Sequence, residues 1–174
     1  AAAPDDPDKA MELLGTLTVF NRRDEAIELA ASAHATHFND KDIQIALSGW
    51  YEAERMQPEA NKCFNRAVEI DPNYPPCRRI QAFDLIAAGQ QDRAREALVP
   101  LRHPSEYYAP EMFLMLANGF ASQGQHEAAL EEFAELIQQT PELGKDNDIR
   151  KQVKTSEKAL GRTQTILPKK GWFG

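Results

Sequence analysis

Cysteine is scarce in this sequence, which contains only Cys63 and Cys77 among its 174 residues. Two cysteines are too few for a disulfide framework, and no Cys-x-x-Cys spacing typical of a redox or zinc motif is present. We therefore expect two reduced cysteines packed near a helix interface. The alternative is a bridge between the two consecutive helices that carry them.

Long apolar runs are also missing, and no stretch approaches the ~20 residues that a transmembrane helix needs. The formal net charge is −7. Nucleic-acid binding and constant contact with an anionic membrane both need clustered Lys and Arg, so this charge argues against them. We expect no nucleic-acid partner and no direct membrane insertion.

Motifs of enzyme chemistry are absent as well. The sequence contains no G-x-x-x-x-G-K-[ST], no G-x-S-x-G and no H-E-x-x-H. His34 and His37 lie three residues apart on a predicted helix, but no Cys or carboxylate pair completes a metal-ligand set, so we interpret them as surface histidines. We expect no catalytic residue, no metal and no cofactor, and hence a protein that is not an enzyme.

A short motif recurs along the chain, with an alanine followed by apolar residues four and seven positions later. Its anchor alanines are spaced by 34, 34 and 35 residues: Ala26, Ala60, Ala94 and Ala129. The clearest copies are Ala60-x-x-x-Phe64-x-x-Ala67 and Ala129-x-x-x-Phe133-x-x-Leu136. Upstream of them stand Leu47-Ser48-x-x-Tyr51 and Leu116-Ala117-x-x-Phe120. Such a regular period indicates a stack of similar units, because one unit cannot bury its apolar face alone.

Apolar periodicity predicts nine helices. Their predicted ranges are 7–21, 24–37, 41–54, 57–70, 75–88, 91–99, 109–122, 125–139 and 146–160. Pro100 should end or kink the sixth, because proline lacks the amide donor and clashes with the preceding turn. The ninth places Ile149 and Val153 on one face, which suits a helix that caps the open end of a stack.

These residues resemble the tetratricopeptide repeat (TPR) family over roughly residues 8 to 142. The second and fourth units match its pattern well, whereas the first lacks the aromatics and the third carries Pro100 inside its second helix. The resemblance implies an all-α right-handed superhelix of about four TPR-like helix pairs plus a C-terminal capping helix. We expect flexible segments at 1–7 and 161–174 around a repeat domain at 8–160.

In the TPR family, the first helix of each pair lines a concave groove where partners bind. The resemblance implies a mainly apolar groove here, formed by Leu13, Phe20, Ile45, Arg79, Ile80, Phe83, Ile86, Leu114, Met115 and Asn118. Exposed apolar concavities mark binding sites, because leaving them wet costs roughly 25 cal/mol per Å². We therefore expect a hydrophobic peptide or an amphipathic helix as the partner. The alternative is that some of these side chains belong to the core.

The expected function is a protein-interaction scaffold or adaptor. The alternatives are a bacterial secretion or pilus-assembly chaperone and, third, a regulatory domain of an enzyme. Trp172 and Phe173 either dock into the groove of this chain or of a neighbouring copy, or belong to a disordered end or a linker. Self-association is left open. The expected compartment is the cytoplasm, with the periplasm, or tethering through an N-terminal anchor missing from this sequence, as the alternative.

Overall fold

The computed structural model describes residues 3–102 and 109–168, and within these ranges the chain forms nine α-helices and no strand. They are α1 (Pro7–Val19), α2 (Arg23–Thr36), α3 (Lys41–Ala53), α4 (Gln57–Ile70), α5 (Pro75–Ala87), α6 (Gln91–Leu98), α7 (Pro110–Ser122), α8 (His126–Gln139) and α9 (Asn147–Ala159). All nine predicted helices are confirmed, each end within two residues of its predicted place. The chain divides into two compact units, 1–77 and 78–174, with the division inside α5.

Three helices begin at an aspartate whose side chain caps the first turn. Asp6, Asp40 and Asp146 each accept hydrogen bonds from the backbone amides two and three residues on, at 2.9–3.3 Å. These bonds satisfy amides that the helix itself leaves free. The bond from the Lys9 amide also holds the pKa of the Asp6 carboxyl below its usual value. The beginnings of α1, α3 and α9 are therefore set locally by the sequence.

The four turns inside the helix pairs contain a left-handed residue at equivalent positions. Asn21, Arg55, Gly89 and Gly124 have φ of 56°, 61°, 73° and 75°. Each lies five residues before the anchor alanine of its repeat. In each turn the next amide donates to the carbonyl five residues back, at 2.8–3.0 Å, which closes the preceding helix. Glycine adopts this φ without strain, so the sequence marks only the third and fourth turns clearly.

The anchor alanines are buried, Ala26 and Ala60 in the first unit and Ala94 and Ala129 in the second. Small side chains at these places let neighbouring helices approach closely, and large side chains fill the adjoining space. The large residues include Tyr51 in the first unit and both Phe120 and Phe133 in the second, all buried. The predicted pairing of small with large residues is confirmed within each unit.

We expect Ala60→Leu to lower the free energy of unfolding by about 1–3 kcal/mol, because a larger side chain overpacks this contact. Ala31→Leu adds the same atoms on an exposed part of α2 and should change it by less than about 0.5 kcal/mol. Thermal unfolding followed by circular dichroism measures both. Equal melting temperatures would show that Ala60 does not sit in a tight contact.

A network of ion pairs joins α6 and the chain that follows it to α8 in the second unit. The Glu132 side chain is 2% exposed and lies 2.6 Å from Nε of Arg95 and 2.8 Å from Nη2 of Arg102. Arg102 also pairs with Glu135. Burial opposes the charge on Arg102, but hydrogen bonds and the charges of Glu132 and Glu135 outweigh it, so the pKa of the guanidinium is raised. The network thus fixes the end of the third pair against the fourth.

Pro100 shortens α6 as predicted. The helix ends at Leu98, and a 3₁₀ turn at Val99–Leu101 follows it. A second 3₁₀ turn, Pro141–Lys145, lies between α8 and α9 and was not predicted. Among the residues that the structure describes, no helix has both the length and the apolar character needed to cross a bilayer.

Residues beyond the predicted domain boundaries contact helices of their own unit. The Ala3 amide donates to Oγ of Ser32 at 2.8 Å. Leu167 is 5% exposed and belongs to the core of the second unit. The boundaries at 8 and 160, and the flexibility of residues 1–7 and 161–174, stay predictions.

Candidate functional site: an apolar strip and a polar cleft in the second unit

Four apolar residues on the first helices of the second unit form what we name the apolar strip: Ile80 and Phe83 on α5, and Leu114 and Met115 on α7. Ile80 is 39% exposed and Phe83 is 50% exposed. Residues three apart share one side of a helix, so both project from the same face of α5. Nη2 of Arg79 lies 3.6 Å from Oε1 of Glu111, and this ion pair places α5 beside α7.

Some of the predicted groove residues also support the core. Ile86, Leu114 and Met115 are partly buried and pack against the main apolar cluster of the second unit. That cluster contains Ala82 of α5 together with Leu116 of α7, so the two helices share one core. The core of the second unit therefore supports the strip. Its most exposed members, Ile80 and Phe83, lie on a helix that packs against this core.

A cleft of about 470 Å³ lies between α7 and α9. Its lining residues are mostly of polar type, although most of the surface that they turn to the cleft is apolar: Asn118, Ala121, His126, Asp148, Lys151, Gln152, Thr155 and Ser156. The Oδ1 atom of Asn118 and the Oε1 atom of Gln152 are buried, and neither accepts a hydrogen bond from the described residues. Buried oxygens normally have a donor, so these two are exceptions within the wall of the cleft. Asn118 lies one helical turn beyond Leu114 on α7, which joins the cleft to the apolar strip.

The predicted groove residues of the first unit are less uniform. Leu13 on α1 and Phe20, the residue that follows α1, are exposed, Phe20 to 72%. Ile45 on α3 is partly buried and packs against a small cluster that includes Ala67 and Tyr74. In this unit, then, α1 offers exposed apolar side chains, whereas Ile45 contributes largely to packing.

The surface position expected for His34 is wrong, because its side chain is buried in a polar contact of the first unit. Nδ1 of His34 lies 2.7 Å from Oε1 of Gln44 and 3.5 Å from Sγ of Cys63. Burial raises the pKa of the Cys63 thiol to about 11, so it stays protonated at neutral pH and supplies no thiolate. His37 bonds through Nε2 to the Pro4 carbonyl at 2.9 Å. Across residues 3–102 and 109–168, no group of three or more His, Cys, Asp or Glu is arranged to hold a metal ion.

Comparison with known proteins establishes the fold. No family model matches the chain, and no curated protein matches it. A solved structure described as YrrB, a TPR protein with an unusual peptide-binding site, superimposes with a TM-score of 0.59 over 94% of this chain and 82% of that one. The chain has a TPR fold. With 16% sequence identity, the likeness concerns the fold alone and confirms the all-α repeat architecture that the resemblance implies.

Within this TPR fold, the part of the site that lies on α9 was not predicted from the sequence. Ile149 and Val153 predict a capping role for α9, and both are buried as that role requires. An adjoining side of α9 supplies Lys151 and Gln152 to the cleft. The spacing of the lysines on α9 was the available signal. Trp172 and Phe173 lie outside the described residues, and tail docking stays a prediction.

Proposed function

We propose that this chain is a protein-interaction scaffold that holds a hydrophobic peptide or an amphipathic helix of another protein against the apolar strip. The observation that carries the proposal is the exposure of Ile80 and Phe83 on a face of α5 beside α7. Burying them under a partner would be favourable by roughly 25 cal/mol for each Å² of apolar surface removed from water.

The shape of the site favours an elongated guest. The strip runs along two neighbouring helices and continues through Asn118 into the cleft beside α9. An amphipathic helix laid in such a groove buries one apolar stripe and leaves its polar face in water. The exposed ion pair between Arg79 and Glu111 provides a polar border at the end of the strip away from the cleft.

The likeness to YrrB supports the same class of function. That protein is described as a TPR protein with a peptide-binding site. A shared fold does not fix function, so the proposal rests on the residues of the strip. Leu13 and Phe20 of the first unit are a second exposed apolar surface and a candidate for further contact with the partner.

Selection of random displayed peptides on the immobilised full chain tests the proposal. We expect the wild-type chain to enrich peptides with apolar residues at helical spacing. The double variant Ile80→Glu, Phe83→Glu should bind the enriched peptides at least about tenfold more weakly, because each glutamate would have to be desolvated under the guest. Both positions are exposed, so the variant should keep its helix content in circular dichroism.

Val99→Glu is the matched control, since Val99 is an exposed apolar residue of the same unit outside the strip. It should leave peptide affinity unchanged. If the wild-type chain enriches no peptide, or if the double variant binds as the wild type does, the proposed function is wrong. If the enriched sequence matches a segment of this chain and the protein self-associates through the strip, the guest is a second copy.

A further inference from the structure

Three lysines form a cationic face on α9, which we name the lysine face: Lys151, Lys154 and Lys158. At 3.6 residues per turn these positions fall within one narrow sector of the helix. All three are exposed, and among the residues that the structure describes, none of them lies within ion-pair distance of a carboxylate. The whole chain carries a net charge of −7, so the charge of this face is opposite in sign to that of the protein.

Most of the other cations of the second unit that the structure describes form ion pairs with glutamates. Four arginines of this unit pair with glutamates: Arg79, Arg95, Arg102 and Arg162. Lys145 pairs with Glu142 at 3.1 Å. Most of these cations are thus paired with carboxylates, whereas the described residues place no carboxylate within ion-pair distance of the lysine face. Arg150, also on α9, bonds instead to the Gly144 carbonyl.

The lysine face is continuous with the cleft. Lys151 and Thr155 line the cleft beside α7 and also line a shallower depression with Lys154 and Lys158. One surface therefore offers unpaired ammonium groups next to the buried oxygens of Asn118 and Gln152. Asp148 lines the cleft as well, near the beginning of α9, so the positive charge is strongest from Lys151 onward.

We infer that the partner segment carries Asp or Glu residues beside its apolar stretch and that the lysine face receives them. In this arrangement the carboxylates meet Lys151, Lys154 and Lys158 beside the cleft. The inference rests on the proposed function and adds to it the chemical class and the orientation of the guest. Charge at such a rim mainly sets orientation, partner choice and association rate.

An acidic peptide fits the observations better than a lipid surface or a nucleic acid. The net charge of −7 repels an extended polyanion such as a nucleic acid, whereas a short segment meets mainly the local field. A flat bilayer surface does not enter the cleft between α7 and α9 that Lys151 lines, whereas a peptide segment can lie in it.

The same peptide selection tests the inference with two charge-matched variants. Lys151→Glu, Lys154→Glu, Lys158→Glu reverses the lysine face. Arg55→Glu, Lys62→Glu, Arg93→Glu makes the same change in net charge at exposed positions that are not part of the strip and do not line the cleft. We expect peptides enriched by the wild type to carry acidic residues at one end of the apolar stretch. The first variant should bind them at least about tenfold more weakly, and the second within about twofold of the wild type.

The outcomes separate this inference from the proposed function. Apolar peptides without acidic enrichment would overturn the inference and leave the proposed function standing, whereas no enriched peptide would overturn both. If both variants weakened peptide binding equally, the effect would be one of general charge, and the inference would be overturned as well. Lysine-dependent binding to phosphatidylserine–phosphatidylcholine vesicles without acidic enrichment would assign the face to a lipid surface and overturn it. Should reversal disturb folding, Lys→Gln at the three positions provides the same comparison.

Discussion

Replacing Glu132 with alanine is expected to lower the free energy of unfolding by about 3 kcal/mol, because Arg95 and Arg102 lose the buried carboxylate that they share. They keep only the more exposed carboxylates of Glu131 and Glu135. Glu132 is 2% exposed and contacts both Arg95 and Arg102. The guanidinium of Arg95 lies 4.7 Å from the centre of the Phe120 ring, and that of Arg102 lies 5.5 Å from the centre of Phe113. The two cations therefore stand over apolar rings and lose their main counter-charge.

Glu131→Ala is the control for this prediction. Glu131 also pairs with Arg95, at 3.3 Å, but its side chain is 66% exposed. Solvent and salt screen such a pair, so its loss should change the free energy of unfolding by less than about 1 kcal/mol. Urea unfolding followed by circular dichroism compares the two. Similar losses for both would mean that Glu132 is not the centre of a buried network.

Phe120→Ala and Phe83→Ala remove the same atoms from two contrasting places in the second unit. Phe120 is fully buried in the main cluster, so its truncation should cost about 3–5 kcal/mol through lost burial and the cavity left behind. Phe83 is 50% exposed on the apolar strip, and its truncation should cost less than about 1 kcal/mol.

The same pair of variants separates a core role from a binding role for Phe83. Phe83→Ala should lower the affinity for the peptides enriched on the wild-type chain, while the midpoint of urea unfolding should barely change. If Phe83→Ala destabilises the fold as strongly as Phe120→Ala does, Phe83 is a core residue and the strip is not a free surface.

Most of the fold could be predicted because its determinants are local. Apolar periodicity predicts the helices, and Pro100 ends α6 as expected. The aspartate caps at the beginnings of α1, α3 and α9, which the structure adds, are equally local. The anchor alanines reported the tight helix contacts directly. The first two turns were harder to predict from the sequence, because their left-handed positions hold Asn21 and Arg55. The same positions in the third and fourth turns hold Gly89 and Gly124.

The site could be predicted only in part because its properties depend on distant residues. The family resemblance implies groove positions for both Ile45 and Ile80, but Ile45 packs on a cluster containing Tyr74, whereas Ile80 is exposed. Packing between helices determines this difference in exposure, and the apolar periodicity of one helix cannot predict it. Pairings such as Arg102 with Glu132 span 30 residues and follow from the helix stack. The cleft at Asn118 likewise exists only once α9 is set beside α7.

Chemical-shift mapping of the tightest enriched peptide on the labelled full chain tests the central claim most directly. The account predicts that shifts in backbone amides and in the Ile80, Leu114 and Met115 methyl groups cluster on the exposed sides of α5 and α7 and extend to α9. Shifts confined to the second helices α6 and α8, with the methyl groups of the strip unchanged, would contradict it.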